Sequence, residues 1–149
     1  MGRIEKKLEQ LGEILPVAKS PVANYLGCKL SGSTLYVSGR VSQARGEVGS
    51  DLTVDESRLA ARSALLDVLA IVKAEIGDLD RISSVLKMNG FVRSAASFTE
   101  QPQVIDGASD LLIELFGDSG RHARTATGVA QLPFGAAVQL EMILALSDT

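Results

Sequence analysis

The stretch GRHARTATGVAQLPFGAAVQLEMILAL, Gly120 to Leu146, holds two segments rich in β-formers on either side of a turn. The first runs from about His122 to Gln131 and the second from about Ala137 to Leu146, with Leu132-Pro133-Phe134-Gly135 as the turn between them. On a strand the side chains alternate, so His122, Arg124, Ala126 and Gly128 share one face. Ala126 and Gly128 are small and leave room for a ligand beside the guanidinium. On the second strand Gln139 and Glu141 share a face. If the two strands form a hairpin, Arg124 meets an amide or a carboxylate across it. Arginine grips a carboxylate with two parallel hydrogen bonds, which makes Arg124 a candidate ligand-binding residue. The plainer reading stays open beside it: a strand arginine that is solvated or ion-paired, and a structural His122.

Upstream, Gln103 to Phe116 reads as a helix carrying Ala108, Leu112 and Leu115 inward and closed by Gly117. Ile82 to Val92 reads as a strand, with Asn89-Gly90 suggesting a bulge or bend inside it. Thr53-Val-Asp-Glu56 is a capping box that starts a long helix, whose stripe of Leu65, Leu69, Val72 and Ile76 ends at Gly77. Ser42 to Leu52 has no periodicity and reads as a surface loop. Val22 to Leu30 and Thr34 to Val41 form a β-hairpin about Ser31-Gly32-Ser33. Ile4, Leu8, Leu11 and Leu15 mark a short accessory helix within residues 1–16, ended by Gly12 or Pro16. The order helix, two strands, helix, strand, helix, two strands predicts an α+β fold in which both main helices cover one face of a mixed sheet. Its other face is left open unless another subunit covers it, so oligomerisation is expected. One domain spanning 1–149 is expected, since no linker, repeat or low-complexity tract interrupts the chain.

Composition narrows the function classes. Of the 149 residues 46% are hydrophobic but only 4% aromatic, with no Trp, so the core is aliphatic and surfaces for stacking bases are scarce. A net charge of −3 lacks the surplus that draws proteins to phosphate backbones, which disfavours nucleic acid. The single Cys28 cannot form an internal disulfide, and with the single His122 it cannot build a Cys/His zinc site. No signal-type apolar region or membrane span is evident, and a cytoplasmic protein is expected. The glycines match neither a P-loop nor a dinucleotide fingerprint, so no cofactor is implied. Gly117-Asp-Ser-Gly120 imitates the string around a serine-protease nucleophile, but with the one His three residues beyond Ser119 it reads as a helix-ending turn. A thiolate pair of Cys28 with His122 is weighed against a small core cysteine, and the core reading is preferred.

Two blocks resemble a known family. Arg124, seven residues of mostly small and apolar character, Leu132-Pro133 and the run Val138-Gln-Leu-Glu141 are similar to the C-terminal signature of the YjgF-like, or RidA, reactive-intermediate deaminases, also labelled L-PSP endoribonucleases. Tyr25 stands eleven residues before Tyr36 in Tyr36-Val-Ser-Gly39, which is also the family's spacing. The likeness covers about Val22 to Leu146, and the GxHxR string resembles a divergent branch labelled endoribonuclease. It implies a chorismate-mutase-like fold assembled as a homotrimer with clefts between subunits. By the same resemblance Arg124 binds a substrate carboxylate with help from the backbone near Ala126, while Tyr25 and the backbone of Gly39 line the cleft. The family's Glu that positions the attacking water falls at Gln139. An amide holds a water but cannot accept its proton, so Glu141 on the same face is weighed as a substitute. Arg40 stands where the family commonly has Gln.

Three readings follow. The first is a hydrolase that deaminates a small 2-imino acid, with Arg124 as anchor and Tyr25, Gln139 or Glu141 steering water. The second is a binding module for small carboxylates that has lost turnover, favoured by Gln139. The third, an endoribonuclease, rests on the family label and is the weakest, given the acidic charge, few aromatics and lone His.

Overall fold

The computed structural model describes residues 1–148. Its elements are α1 (Arg3–Gln10), β1 (Cys28–Ser31), β2 (Thr34–Val41), α2 (Val54–Ile76), β3 (Ile82–Arg93), α3 (Gln101–Phe116), β4 (Ala123–Val129) and β5 (Val138–Leu146). The five strands form one mixed sheet in the order β1-β2-β5-β3-β4. All neighbours are antiparallel except β3 and β4, which run parallel. The α+β expectation therefore holds, with α2 and α3 packed on one face.

The strand pattern is legible residue by residue. Along β5, Val138, Leu140, Met142, Leu144 and Leu146 are buried while Gln139, Glu141, Ile143 and Ala145 are half-buried. The buried set packs into a single cluster with Leu65 and Leu69 of α2 and with Ile105, Leu111, Leu112 and Leu115 of α3. Each fully buried large aliphatic side chain contributes about 1.5–3 kcal/mol, so this layer is the main source of stability. The capping box is present: Glu56 N donates to Thr53 Oγ1 and Thr53 N donates to Glu56 Oε1, each at 3.1 Å. Gly77 ends α2 at φ 88°, a conformation that favours glycine.

Four expectations are corrected. The last two strands are not a hairpin: β3 lies between β4 and β5. The turn at Leu132–Gly135 instead carries the chain past the end of β3, with Gly135 N donating to Leu132 O. The predicted strand from Val22 shrinks to Cys28–Ser31, the residues that pair with β2. No bulge occurs at Asn89-Gly90, which pair regularly with Glu141 and Leu140; the register shifts lie at Ile82/Ser84 and Val85/Lys87. Gly90 is small because Ile105 of α3 occupies the space a Cβ would take, at 2.6 Å. The N-terminal helix stops at Gln10, and Leu15 only packs against the core from outside any helix.

Two contacts fix how the layers meet. On α3, a Cβ at Gly107 would fall 2.1 Å from the carbonyl oxygen of Arg58 on α2, so the helix backbones approach here as only glycine allows. The N-terminus of α1 is tied down by Asp80, which accepts from Arg3 N at 2.8 Å and Ile4 N at 2.9 Å. These amides, Ile4 N foremost, hold the Asp80 carboxyl below its ordinary range. Gly107→Ala should destabilise the protein by about 1–3 kcal/mol, read as a lower urea midpoint with an unchanged slope. Because the folded value of Asp80 is depressed, its contribution is present above the unfolded carboxylate value and is lost as pH falls through the folded one. Amide exchange at Arg3 and Ile4 should therefore accelerate in acid beyond the intrinsic trend, and Asp80→Ala should bring that acceleration to neutral pH.

Candidate functional site

Arg124 is paired with Met88 across the parallel ladder, and Met88 is fully buried on the helix side. Paired residues share a face, so Arg124 points toward α3 rather than toward the open face of the sheet. There its Nη1 donates to Asp106 Oδ1 at 2.7 Å and to Ser109 Oγ at 3.2 Å, and Nη2 lies 3.5 Å from Pro102 O. Asp106 and Ser109 are three residues apart on α3, which puts both over the same edge strand. The Arg124 side chain keeps 23% exposure, so part of the guanidinium remains open to solvent.

His122, just before β4, sits on the same side. Its Nδ1 is 2.6 Å from Gly120 O and its Nε2 is 2.9 Å from Ser109 Oγ. A carbonyl only accepts, so Nδ1 carries the proton, and in the neutral ring Nε2 accepts from the Ser109 hydroxyl. Ser109, His122 and Arg124 line a shallow recess of about 190 Å³ with Ile113 and Arg121. Ala126 shares the face and packs against the core, two residues along β4.

Tyr25, Gly39 and Gln139 meet elsewhere. They line a recess of about 330 Å³ together with Arg40 and Phe134. Gly39 abuts Gln139 so closely that a Cβ on it would fall 2.9 Å from Gln139 Nε2. Phe134 holds φ 60°, a left-handed conformation uncommon for a bulky residue, and presents an exposed ring at the mouth. Glu141 lies in a third place: its Oε1 accepts from Asn89 Nδ2 at 2.9 Å, and it borders a recess of about 250 Å³ with Lys29, Tyr36 and Lys87.

The convergence expected of Arg124 with Gln139 or Glu141 does not occur within one chain. Gln139 and Glu141 pair with Phe91 and Asn89 and alternate with the buried residues of β5, so they face away from the helices. Arg124 is one strand farther out and faces the helices. Three residues went unselected from sequence: Asp106 and Ser109, which hold Arg124, and Asn89, which holds Glu141. The first two carried a signal in their spacing of three on a helix, but nothing in the sequence said that β4 would lie under α3.

The weaker candidates resolve as structure. Cys28 is buried on β1, and desolvation, with the Glu75 charge adding to it, pushes its thiol up to about 11, so it is no thiolate at neutral pH. It sits at the sheet edge opposite to β4, away from His122. Ser119 lies in the short 3-10 turn Gly117–Gly120, and His122 bonds Ser109 instead. Among the described residues no group of three or more His, Cys, Asp or Glu is placed to hold a metal ion, and no helix is long and apolar enough to cross a membrane. A further recess of about 540 Å³, between α1, Ile14 and Lys73, is lined by none of the candidate residues.

The chain is similar to known proteins along nearly all of its length. Residues 5–145 match the family model described as "YjgF/chorismate_mutase-like, putative endoribonuclease". Protein TCP17 of Trypanosoma cruzi is 46% identical over 99% of this chain and 96% of its own length. A 2-iminobutanoate/2-iminopropanoate deaminase of Dermatophagoides farinae is 29% identical over 88% of this chain and 92% of its own. The crystal structure of the protein Atu1372, of unknown function, from Agrobacterium tumefaciens superposes with a TM-score of 0.91 at 44% identity, covering 97% of this chain and 92% of that one. With the family model matching residues 5–145 and a relative 46% identical over 99% of this chain, the chain belongs to the YjgF/chorismate mutase-like family.

Proposed function

We propose that this protein is a hydrolase of small 2-imino acids, anchoring the substrate carboxylate on Arg124 and releasing ammonia and a 2-oxo acid. The observation that carries the reading is the partly exposed Arg124 guanidinium, held at one nitrogen by Asp106 and Ser109 at the rim of a small recess. The similarity to an imino acid deaminase over most of both chains supports it. The chemistry asks little of the protein. The imine carbon is electrophilic, water adds across C=N, and the carbinolamine then expels ammonia, so orienting water and substrate supplies much of the acceleration.

The cleft is proposed to form between copies, in a homotrimer. Arg124 and the recess of Tyr25, Gly39 and Gln139 lie on opposite faces of one chain's sheet, so one chain cannot close both on one small ligand. Arg124 sits on the edge strand β4, where a neighbouring copy can bring its own recess against it. Among the polar groups lining that recess is Gln139, which can hold a water through its amide but cannot take its proton. Glu141 is engaged by Asn89 and is the weaker candidate for that task. A second reading, a small-carboxylate binder without turnover, is favoured by Gln139 alone. A cytoplasmic setting is part of the same proposal.

Freshly generated 2-iminopropionate should release ammonia faster with wild-type protein than without it. Arg124→Ala should lower kcat/KM by about 10- to 100-fold, the loss of one or two charge-assisted hydrogen bonds. No acceleration by the wild type, together with a gain in Gln139→Glu, would replace the deaminase with the binder. Sedimentation should give three times the chain mass, and a monomer would remove the shared cleft.

A further inference from the structure

We infer that Ser109 and His122 are positioning residues for Arg124, forming a relay that fixes which edge of its guanidinium meets a carboxylate. The inference rests on the proposed role of Arg124. It starts from the polarity of the chain of hydrogen bonds. Gly120 O has no proton, so the 2.6 Å contact requires a proton on His122 Nδ1. In the neutral ring, Nε2 is then an acceptor, and the 2.9 Å contact is a donation from the Ser109 hydroxyl. With its one proton directed at His122, the Ser109 oxygen turns its lone pairs elsewhere, and Arg124 Nη1 donates to it at 3.2 Å. Asp106 takes the other proton of Nη1 at 2.7 Å.

Both protons of Nη1 are thereby committed. The opposite, side-on edge of the fork, Nε and Nη2, has only the 3.5 Å approach of Nη2 to Pro102 O among the described residues. This is the edge left for a bidentate carboxylate. Ser109 is 7% exposed and sits in the middle of α3, so its hydroxyl is fixed by the helix and acts on the ligand through Arg124 alone. The charged groups about the relay are Asp106 on α3, Arg124 on β4 and Arg121 at the recess mouth. A proton on His122 Nε2 would turn the acceptor into a donor and place a second cation across the Ser109 oxygen from Arg124.

Two measurements test this. At pH 8 the ring nitrogens of His122 in the full-length protein, read by ¹⁵N NMR, should show a protonated Nδ1 and a bare Nε2; a protonated Nε2 would overturn the relay. In steady-state ammonia release from 2-iminobutanoate, Ser109→Ala and His122→Asn should raise KM about tenfold with kcat within twofold. His122→Gln, whose side-chain oxygen reaches the place of Nε2, should recover most of the loss. Unchanged KM in Ser109→Ala and His122→Asn, with Arg124→Ala impaired, would overturn the positioning role while leaving Arg124 as anchor. If Arg124→Ala itself is unimpaired, the carboxylate-anchor reading fails instead. A fall in apparent kcat with KM unchanged in both variants, with no recovery in His122→Gln, would mark a loss of folded protein rather than of positioning and would also overturn the inference.

Discussion

Parallel strands cannot be joined by a tight turn, and β3 and β4 are parallel, so the chain between them has to cross over the sheet. The crossover is α3, and its position governs the rest of the molecule. It places α3 over the β3 and β4 side of the sheet and leaves α2 to cover the remainder. Gly107 then lets α3 approach the Arg58 backbone of α2, and Gly90 lets Ile105 descend onto β3. The buried leucines of both helices and of β5 follow from that one placement.

The same crossover determines the chemistry available at β4. As an edge strand β4 has one unpaired backbone side, but one face of its side chains lies beneath α3. Arg124 therefore meets Asp106 and Ser109, and His122 is drawn to Ser109 and Gly120. A guanidinium in this setting is oriented as well as charged, which is what recognition of a planar carboxylate requires. The half-buried surface makes its pairing with Asp106 a matter of geometry more than of stability, since partly exposed ion pairs contribute little to folding.

The open face of the sheet carries a different population: Tyr36, Lys87, Asn89, Gln139, Glu141 and Ile143. It mixes apolar and polar groups, and the Tyr25 recess opens beside it. The two sets of candidate residues are thus divided by the sheet itself. That division is the physical ground for proposing a cleft shared between copies, and it bears equally on the deaminase and on the binder.

Sequence by itself determined the elements with local causes. The capping box at Thr53, the stripe of α2, the glycine stops at Gly77 and Gly117, and the alternation of β5 each follow from hydrogen bonds or periodicities within a few residues. The block from Arg124 to Glu141 carries a family resemblance, rather than a local structural cause, and that resemblance led to the right family. The pairing of strands was not legible, because two β-formers around a turn look alike whether they pair with each other or receive a third strand between them. Nor was the face that Arg124 takes, since alternation says which residues lie together but not what covers them. Only the packing of α3 over β4 decided that Arg124 would be held by Asp106 and Ser109, apart from Gln139 and Glu141.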